Sequence, residues 1–382
     1  YAAISADVVN SEQHRALARE AAARSLVLVK NRDATLPLAK DLEKIYVTGP
    51  LAADGAVLLG NYFGVSSELS TILEGVVGAV GPTTVVSYRQ GSLLDRPNVN
   101  PLDWFSGMAA ESDVTIAVMG ISNLLEGEEG ASLASPDKGD RLDPGLPQNQ
   151  IDFLKTIREK AQKLVVVILG GSPMTIPEVH EMADAVLLVW YPGEEGGRAV
   201  ADVIFGDVSP AGRLPLTYPK SLDQLPPYDD YSMTGRTYRY MQEEPLYPFG
   251  FGLSYASFEY GEISLDQKSV EAGDTVTVKV PVTNTGEVAA DEVVQLYITD
   301  PVASVEVPVA SLIGFERITL EPGATETVTF AITPELMQLV TDEGERLVEP
   351  GELVVTIGGA SPGKRAAHLG ASDPARASFT VR

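Results

Sequence analysis

Cysteine is absent from this sequence, and histidine is nearly so, with three among 382 residues. Without cysteine the chain can form neither disulfides nor the thiolate ligands of common structural zinc sites, and it has no thiolate nucleophile. The three histidines, His14, His180 and His368, stand far apart, and none falls in a metal-binding spacing such as His-x-His. We therefore predict no bound metal and no cofactor.

Positive charge is also scarce. The 28 lysines and arginines face 53 aspartates and glutamates, which gives a formal net charge of −25. Nucleic acids and anionic membranes attract basic surfaces, so this balance argues against both as partners. Nor is there a run of roughly 18 apolar residues, the length that a membrane-spanning helix requires. The acidic excess is best interpreted as a solvated surface that favours solubility.

The start of the chain lacks the charged-then-apolar pattern of a signal peptide. We interpret Tyr1 as a position inside a longer protein, so the missing leader carries no information about the parent gene product. Between compartments we favour a periplasmic or secreted location over a cytoplasmic one, and the sequence does not indicate an oligomeric state.

The first half of the chain alternates between short apolar runs and helical patterns. Residues 11–24 predict a helix capped by Ser11. Continuous strands of Val, Ile and Leu that alternate with helices predict an α/β domain, a mostly parallel sheet with helices on both faces. Ligands of such sheets bind at the carboxyl ends of the strands. The apolar runs lie at 25–30, 45–48, 84–88, 114–119, 164–169 and 185–190, and the clearest helical spacing lies at 147–162.

The pattern changes near residue 213. Residues 214–256 are rich in Pro, Tyr and Gly and predict an ordered linker. From residue 257 to residue 382, alternating strands separated by turn residues predict an all-β sandwich of immunoglobulin or fibronectin type. The predicted organisation is thus a junction helix at 1–24, an α/β domain at 25–213, the linker, and the β-domain.

The segment with the strongest chemical signal directly follows the apolar run at 114–119. Glu126, Glu128 and Glu129 place three carboxylates in four positions beside glycines. A general acid needs a carboxyl that is protonated at working pH, and neighbouring negative charge and partial burial both raise a carboxyl pKa. By itself such a loop is more often a solvated surface loop. Downstream, Asp140-Arg141 and the Leu-Pro-x-x-Gln stretch at 146–150 indicate a loop closed by a defined anchor.

Several long motifs in this sequence resemble glycoside hydrolase family 3. They lie at 21–31 with 36–38, at 139–141 with 146–150, at 191–197 running to 210–216, and at 236–240 running to 247–255. The remainder resembles the fibronectin type III-like module that many family members carry at the C-terminus. Together these stretches cover essentially the whole chain.

The resemblance implies the C-terminal part of a retaining exo-β-glycosidase that works by double displacement on β-linked oligosaccharides or aryl glycosides. We favour β-glucosidase, with β-xylosidase as the alternative. In the family, an aspartate on an N-terminal TIM barrel forms the glycosyl-enzyme and a glutamate on the α/β domain is the acid/base. Retention requires the two carboxyls to lie about 5 to 5.5 Å apart. The acid/base commonly follows a glycine, which maps onto Glu128, with Glu126 and Glu129 as alternatives.

The nucleophile is where this sequence departs from the family. The family motif Ser-Asp-Trp belongs to a barrel that we expect to be missing here, and the Leu-Asp-Trp stretch around Asp103 lies downstream of the barrel junction. We interpret Asp103 as part of a turn, so this chain is predicted to hold no nucleophile and to be inactive without the barrel as its partner. Asp140 and Arg141 are predicted to brace the loop or to lie near substrate.

A second hypothesis assigns the chain to a different functional class. The two domains alone would make a non-catalytic carbohydrate-binding or scaffold protein. The sequence that precedes Tyr1 distinguishes the two hypotheses, because a barrel with the Ser-Asp-Trp motif favours the enzyme.

Overall fold

The computed structural model describes residues 4–61, 63–99, 103, 105–126 and 141–382. The chain divides into two compact units, Tyr1–Gly212 and Arg213–Arg382. In the part of the chain described, no helix has the length and apolar character needed to cross a membrane.

The first unit alternates strands with helices, as the apolar runs predict. Short 3-10 turns lie at Ala6–Val8, Arg32–Ala34 and Ala56–Leu58. The helices are α1 (Glu12–Ser25), α2 (Ile72–Ala79), α3 (Phe105–Ala110), α4 (Gln148–Arg158), α5 (Pro177–Met182) and α6 (Gly196–Ile204). The strands are β1 (Val27–Asn31), β2 (Lys44–Thr48), β3 (Val85–Arg89), β4 (Val114–Gly120), β5 (Leu164–Leu169) and β6 (Ala185–Trp190).

These strands form one sheet in the order β1-β6-β5-β4-β2-β3. Strands β2 to β6 pair in parallel, and only the edge strand β1 runs antiparallel to its neighbour β6. All seven residues of β4 and all six of β5 are buried. Because successive side chains point to opposite faces, both faces of the sheet are covered. The predicted mostly parallel α/β layer architecture is confirmed.

The register brings three strand ends together at one edge of this sheet. Gly120 at the end of β4 pairs with Leu169 at the end of β5, and Leu169 pairs with Trp190 at the end of β6. The segments that follow these three strands therefore leave the sheet side by side. This carboxyl edge is where a doubly wound sheet positions its ligands.

Ion pairs tie α1 to α6 and to the loop before α2. Arg15 donates from Nε to the buried Glu195 at 2.9 Å and also contacts Glu68. Arg198 pairs with the same two glutamates at 2.9 Å each. The hydrogen bond from Arg15, followed by that from Arg198, lowers the pKa of Glu68 to about 2. Ser11 caps α1 by accepting from the His14 amide at 3.3 Å, as predicted.

The second unit is a β-sandwich with two short helices, α7 (Thr237–Tyr240) and α8 (Arg365–His368). Its strands are β7 (Phe258–Tyr260), β8 (Ser264–Leu265), β9 (Ser269–Val270), β10 (Val276–Asn284), β11 (Ala290–Thr299), β12 (Ser311–Leu320), β13 (Thr325–Ile332), β14 (Leu339–Val340), β15 (Arg346–Leu347), β16 (Gly351–Gly358) and β17 (Ala375–Val381). One sheet of the sandwich has the order β13-β10-β7 with β8 also paired to β10, and the other has the order β12-β11-β16-β17-β9. Strands β14 and β15 form a separate two-stranded sheet. The side chains of Val276, Val278, Val280 and Val282 in β10 are fully buried at alternate positions, which is the pattern of a strand with one face in the core. The predicted fibronectin-type β-sandwich is confirmed.

The Pro- and Tyr-rich segment that precedes β7 packs on this sandwich. The amide of Ser361 donates to the carbonyl of Phe249 at 2.9 Å. Arg213, the first residue of the unit, pairs with Glu292 of β11 at 3.1 Å, and both side chains are buried. The segment is therefore ordered by hydrogen bonds and a buried ion pair within the second unit.

Candidate active site at the carboxyl edge of the sheet

One carboxylate oxygen joins the three segments that leave the carboxyl edge. Glu126 follows β4, Gly171 follows β5 and Tyr191 follows β6. The Oε2 atom of Glu126 accepts a hydrogen bond from the Tyr191 hydroxyl at 2.6 Å and another from the Gly171 amide at 2.8 Å. The first carboxylate of the acidic loop is thereby fixed over the sheet edge.

A tight turn after β4 delivers Glu126 to this position. The amides of Leu125 and Glu126 both donate to the carbonyl of Ser122 at 2.9 Å, so the backbone winds back over the strand end. The side chain of Asn61 donates to the Glu126 carbonyl at 3.2 Å. Both the main chain and the side chain of Glu126 are thus held.

Two glycines make room for the Tyr191 ring. A Cβ atom on Gly171 would lie 3.0 Å from Cε2 of Tyr191 and 3.2 Å from Oε2 of Glu126. At Gly60, where φ is +66°, a Cβ would lie 3.0 Å from Cδ2 of the same ring. A side chain at either position would push the phenol away from the carboxylate, so these glycines are part of the site.

The start of the acidic loop is fixed by a buried amide. Gln150, on α4, is completely buried. Its Oε1 accepts from the Gly120 amide at 2.9 Å, and its Nε2 donates to the carbonyls of Gly120 and Leu94, each at 2.8 Å. The side chain therefore satisfies both main-chain groups of Gly120, the last residue of β4. The loop that begins there has one anchor at Gly120 and a second at Glu126.

Arg141 brings a positive charge to the same edge. Its Nη2 donates to the carbonyl of Gly145, and its charge interacts with Glu126 and Asp143. Burial lowers the pKa of Arg141, and these two carboxylates oppose the shift. Its Nη1 is buried with no hydrogen-bond partner among the residues that the structure describes.

Tyr191 acts as a neutral hydrogen-bond donor in this cluster. Burial raises the pKa of its phenol far above the ordinary value, and the hydrogen bond to Glu126 adds to the shift. The phenol therefore keeps its proton at neutral pH and donates it in the hydrogen bond to Glu126.

The structure brings two of the residues singled out from the sequence to this edge, Glu126 and Arg141. Glu128, Glu129 and Asp140 lie outside the described residues. Sequence reasoning did not assign a role to Tyr191, although its place directly after an apolar parallel strand was a usable signal. Within the described ranges, no three His, Asp or Glu side chains are arranged to hold a metal ion.

Asp103, the aspartate of the Leu-Asp-Trp stretch compared above with the family's nucleophile motif, caps a helix. Its Oδ1 accepts from the amides of Phe105 and Ser106 at 3.0 Å, and its Oδ2 accepts from the Ser106 hydroxyl at 2.5 Å. The hydrogen bonds from Ser106 lower the pKa of Asp103. This carboxylate stabilises the start of α3 (Phe105–Ala110).

The fold and the site define a class of protein: an α/β domain with an anchored acidic loop at the carboxyl edge of its sheet, followed by a fibronectin-type sandwich. The sequence model of the glycosyl hydrolase family 3 C-terminal domain matches residues 26–255, and that of the fibronectin type III-like domain matches residues 292–361. The chain belongs to glycoside hydrolase family 3.

Its relatives are β-glucosidases and β-xylosidases, which are glycoside hydrolases. The chain is 36% identical to a periplasmic β-glucosidase of Salmonella typhimurium, matching 91% of this chain and 49% of that enzyme. It is 35% identical to a β-xylosidase of Formosa agariphila, matching 92% and 49%. A solved β-glucosidase of Erythrobacter marinus superposes with a TM-score of 0.83 at 32% identity, over 98% of this chain and 51% of that one. The chain therefore spans about half the length of the relatives it matches.

Proposed function

We propose that this chain supplies the acid/base carboxylate of a retaining exo-β-glycosidase and that a TIM-barrel domain supplies the aspartate nucleophile. The observation that carries the proposal is the anchored acidic loop. It leaves the sheet at the edge where this architecture binds ligands, and it is held there by Gln150 at Gly120 and by Tyr191 at Glu126.

The proposed reaction has two steps. In the first, the barrel aspartate attacks the anomeric carbon while the protonated glutamate gives its proton to the glycosidic oxygen, so the aglycone leaves as an alcohol. In the second, the same glutamate, now a carboxylate, takes a proton from water as the water attacks the anomeric carbon and releases the aspartate. Two inversions give net retention, and the glutamate ends the cycle protonated.

We assign the acid/base role to Glu128. It directly follows a glycine, as the family's acid/base commonly does. The competing assignment to Glu126 is disfavoured because Oε2 of that residue already accepts two hydrogen bonds, from Tyr191 and Gly171. Glu129 remains the alternative within the same loop.

For the substrate we propose a terminal β-D-glucosyl residue. Two of the relatives with solved structures are β-glucosidases, from Erythrobacter marinus and Listeria innocua. The Listeria innocua enzyme superposes with a TM-score of 0.83 at 28% identity. A β-xyloside is the second candidate, because the match to the Formosa agariphila β-xylosidase is as extensive as that to the Salmonella enzyme. The ratio of kcat/KM values for 4-nitrophenyl β-glucoside and 4-nitrophenyl β-xyloside decides between them.

For location we propose the periplasm or the outside of the cell. The support is the relative from Salmonella typhimurium, which is a periplasmic β-glucosidase. Fractionation of the native host, with the chain detected by antibody, tests the proposal, and recovery in the cytoplasmic fraction would overturn it.

The experiment that tests the main proposal compares the chain alone with the chain joined to a family 3 barrel. We expect no hydrolysis of aryl β-glycosides by the chain alone and hydrolysis with retention by the joined protein. In the joined protein, Glu128→Ala should lower turnover about 10²- to 10⁴-fold. The matched control is Glu111→Gln, an exposed residue at the opposite edge of the sheet. Retaining hydrolysis by the chain alone, or a joined protein that binds sugar without turnover, would overturn the proposal, and the second result would favour the scaffold hypothesis.

A further inference from the structure

We propose that a cavity at the carboxyl end of β3 binds a sugar unit of a β-linked oligosaccharide. The cavity lies between the segment that follows β3 and the first turns of α4, and its volume is about 320 Å³. That volume is close to the lower end of the range typical of small-ligand sites. The choice of a β-linked oligosaccharide rests on the proposed function, whereas the preference for a neutral, hydroxyl-rich ligand follows from the side chains that line the cavity.

The cavity lies at the same edge of the sheet as the cluster around Glu126. Strand β3 is parallel to β2, and β2 is parallel to β4, so the carboxyl ends of these strands share one edge. The side chain of Gln150 connects the two places. Its Nε2 donates both to the carbonyl of Leu94, in the segment that follows β3, and to the carbonyl of Gly120, at the end of β4. The cavity therefore belongs to the edge at which this architecture binds ligands.

Hydrogen bonds and packing fix the walls of the cavity. The amide nitrogen of Asn149 donates to the carbonyl of Leu93 at 2.7 Å, and that of Asn98 donates to the carbonyl of Gly91 at 2.5 Å. At Gly91, where φ is +73°, a Cβ atom would lie 2.2 Å from Cζ of Phe153, so the glycine lets this ring pack against the chain. The site is thus formed before a ligand arrives, which reduces the entropy lost on binding.

Three side-chain amides leave their oxygens available to a ligand. The nitrogens of Asn98 and Asn149 bond to main-chain carbonyls, and that of Gln148 donates to Oδ1 of Asp152 at 2.8 Å. Among the residues that the structure describes, no donor bonds to the three amide oxygens or to Oδ2 of Asp152. Amide and carboxylate oxygens accept hydrogen bonds from hydroxyl groups. The lining therefore presents several acceptors to a ligand that carries many hydroxyls.

The other lining groups argue against ligands of other classes. Two carboxylates, Asp95 and Asp152, line the cavity, and none of the described residues around it is basic, so a phosphate or another anion would be repelled. Asp95 already pairs with Arg96 at 2.9 Å. No three acidic side chains in the described ranges are arranged to hold a metal ion. Six of the nine lining residues have polar side chains, which does not suit an apolar ligand.

The test is isothermal titration calorimetry of the full chain with cellotetraose, for which we expect saturable binding. Asp152→Ala removes an exposed carboxylate that bonds only to Gln148 among the described residues, and it should weaken binding about tenfold. The matched control is Glu159→Ala, which removes an exposed carboxylate at the C-terminal cap of the same helix and should leave the affinity unchanged. No saturable binding at about 10 mM cellotetraose, which would fill most of a millimolar site, would overturn the inference.

Two further variants keep the test decisive. Gln148→Leu removes one of the amides from the exposed start of α4 and should also weaken binding about tenfold, so an unchanged affinity in this folded variant would overturn the inference even if Asp152→Ala does not fold. Tyr191→Phe should leave the affinity unchanged, because Tyr191 contacts Glu126 and does not line the cavity. Loss of binding in Tyr191→Phe and not in Asp152→Ala would place the sugar beside Glu126 and contradict the inference.

The outcomes also separate this inference from the proposed function. If the barrel-joined protein hydrolyses aryl β-glycosides with retention and the chain binds no cellotetraose, the inference alone is wrong. If cellotetraose binds and Asp152→Ala weakens it, but the barrel-joined protein shows no hydrolysis, the proposed function is wrong and the inference holds.

Discussion

Replacing Gln150 by leucine tests the anchor at the start of the acidic loop. Leucine has nearly the volume of glutamine and suits a helix, so the change removes hydrogen bonds with little change in packing. Three bonds are lost, two to the main chain of Gly120 and one to the carbonyl of Leu94. Gln150 is 0% exposed, so water cannot replace its amide group.

The magnitude follows from the groups left unpaired. A buried polar group that loses its hydrogen-bond partner lowers the free energy of unfolding by about 1 to 3 kcal/mol. Burying the apolar leucine side chain in place of an amide offsets part of this loss. We therefore expect the first unit to lose about 2 to 4 kcal/mol of unfolding free energy. For a unit of this size, each kcal/mol corresponds to about 2 to 4 °C in Tm.

Tryptophan fluorescence during urea unfolding measures the effect, because both tryptophans of the chain, Trp104 and Trp190, belong to the first unit. The matched control is Gln148→Leu on the same helix, whose exposed amide bonds only to Asp152 among the described residues. That variant should stay within about 0.5 kcal/mol of the parent. A Gln150→Leu protein as stable as Gln148→Leu would refute the reasoning.

Two further predictions concern charged groups in each unit. Because the pKa of Glu68 is lowered from 4.5 to about 2, its ion pairs stabilise the first unit above pH 4.5, and this contribution is lost as the pH falls toward 2. Glu68→Gln should therefore lower the Tm of the tryptophan transition at pH 6 and change it little near pH 2, and an equal change at both pH values would contradict this. In the second unit, Arg213→Met leaves the buried Glu292 without its cation and should cost about 3 to 5 kcal/mol by calorimetry. Arg213→Met combined with Glu292→Leu should recover most of that loss, and a double variant no better than the single one would show that the pair is not the cause.

The layer architecture could be predicted from the sequence, because buried parallel strands appear as continuous apolar runs. The runs at 114–119 and 164–169 correspond to β4 and β5 at the centre of the sheet. The antiparallel direction of β1 could not be predicted from the sequence. A short buried strand has the same apolar composition in either direction, and its pairing with β6 depends on residues about 160 positions further along the chain.

The candidate site could be predicted from the sequence only in part. The position of the acidic loop after β4 followed from the apolar run and the general behaviour of parallel sheets. The partners of Glu126 did not follow, because Gly171 and Tyr191 lie 45 and 65 residues away and meet it only through the register of three strands. The sequence places three candidate glutamates in one loop, and the family resemblance favours Glu128 among them. The contacts of Glu126 distinguish that residue from the other two.

The central claim, that Glu128 is the acid/base carboxyl, is tested most directly by azide rescue in the barrel-joined protein. Glu126→Ala, Glu128→Ala and Glu129→Ala are assayed with an aryl β-glycoside that has a good leaving group, with and without sodium azide. We predict that azide restores turnover to Glu128→Ala alone and that the product is the β-glycosyl azide. Rescue of Glu126→Ala or Glu129→Ala with none for Glu128→Ala would contradict the claim.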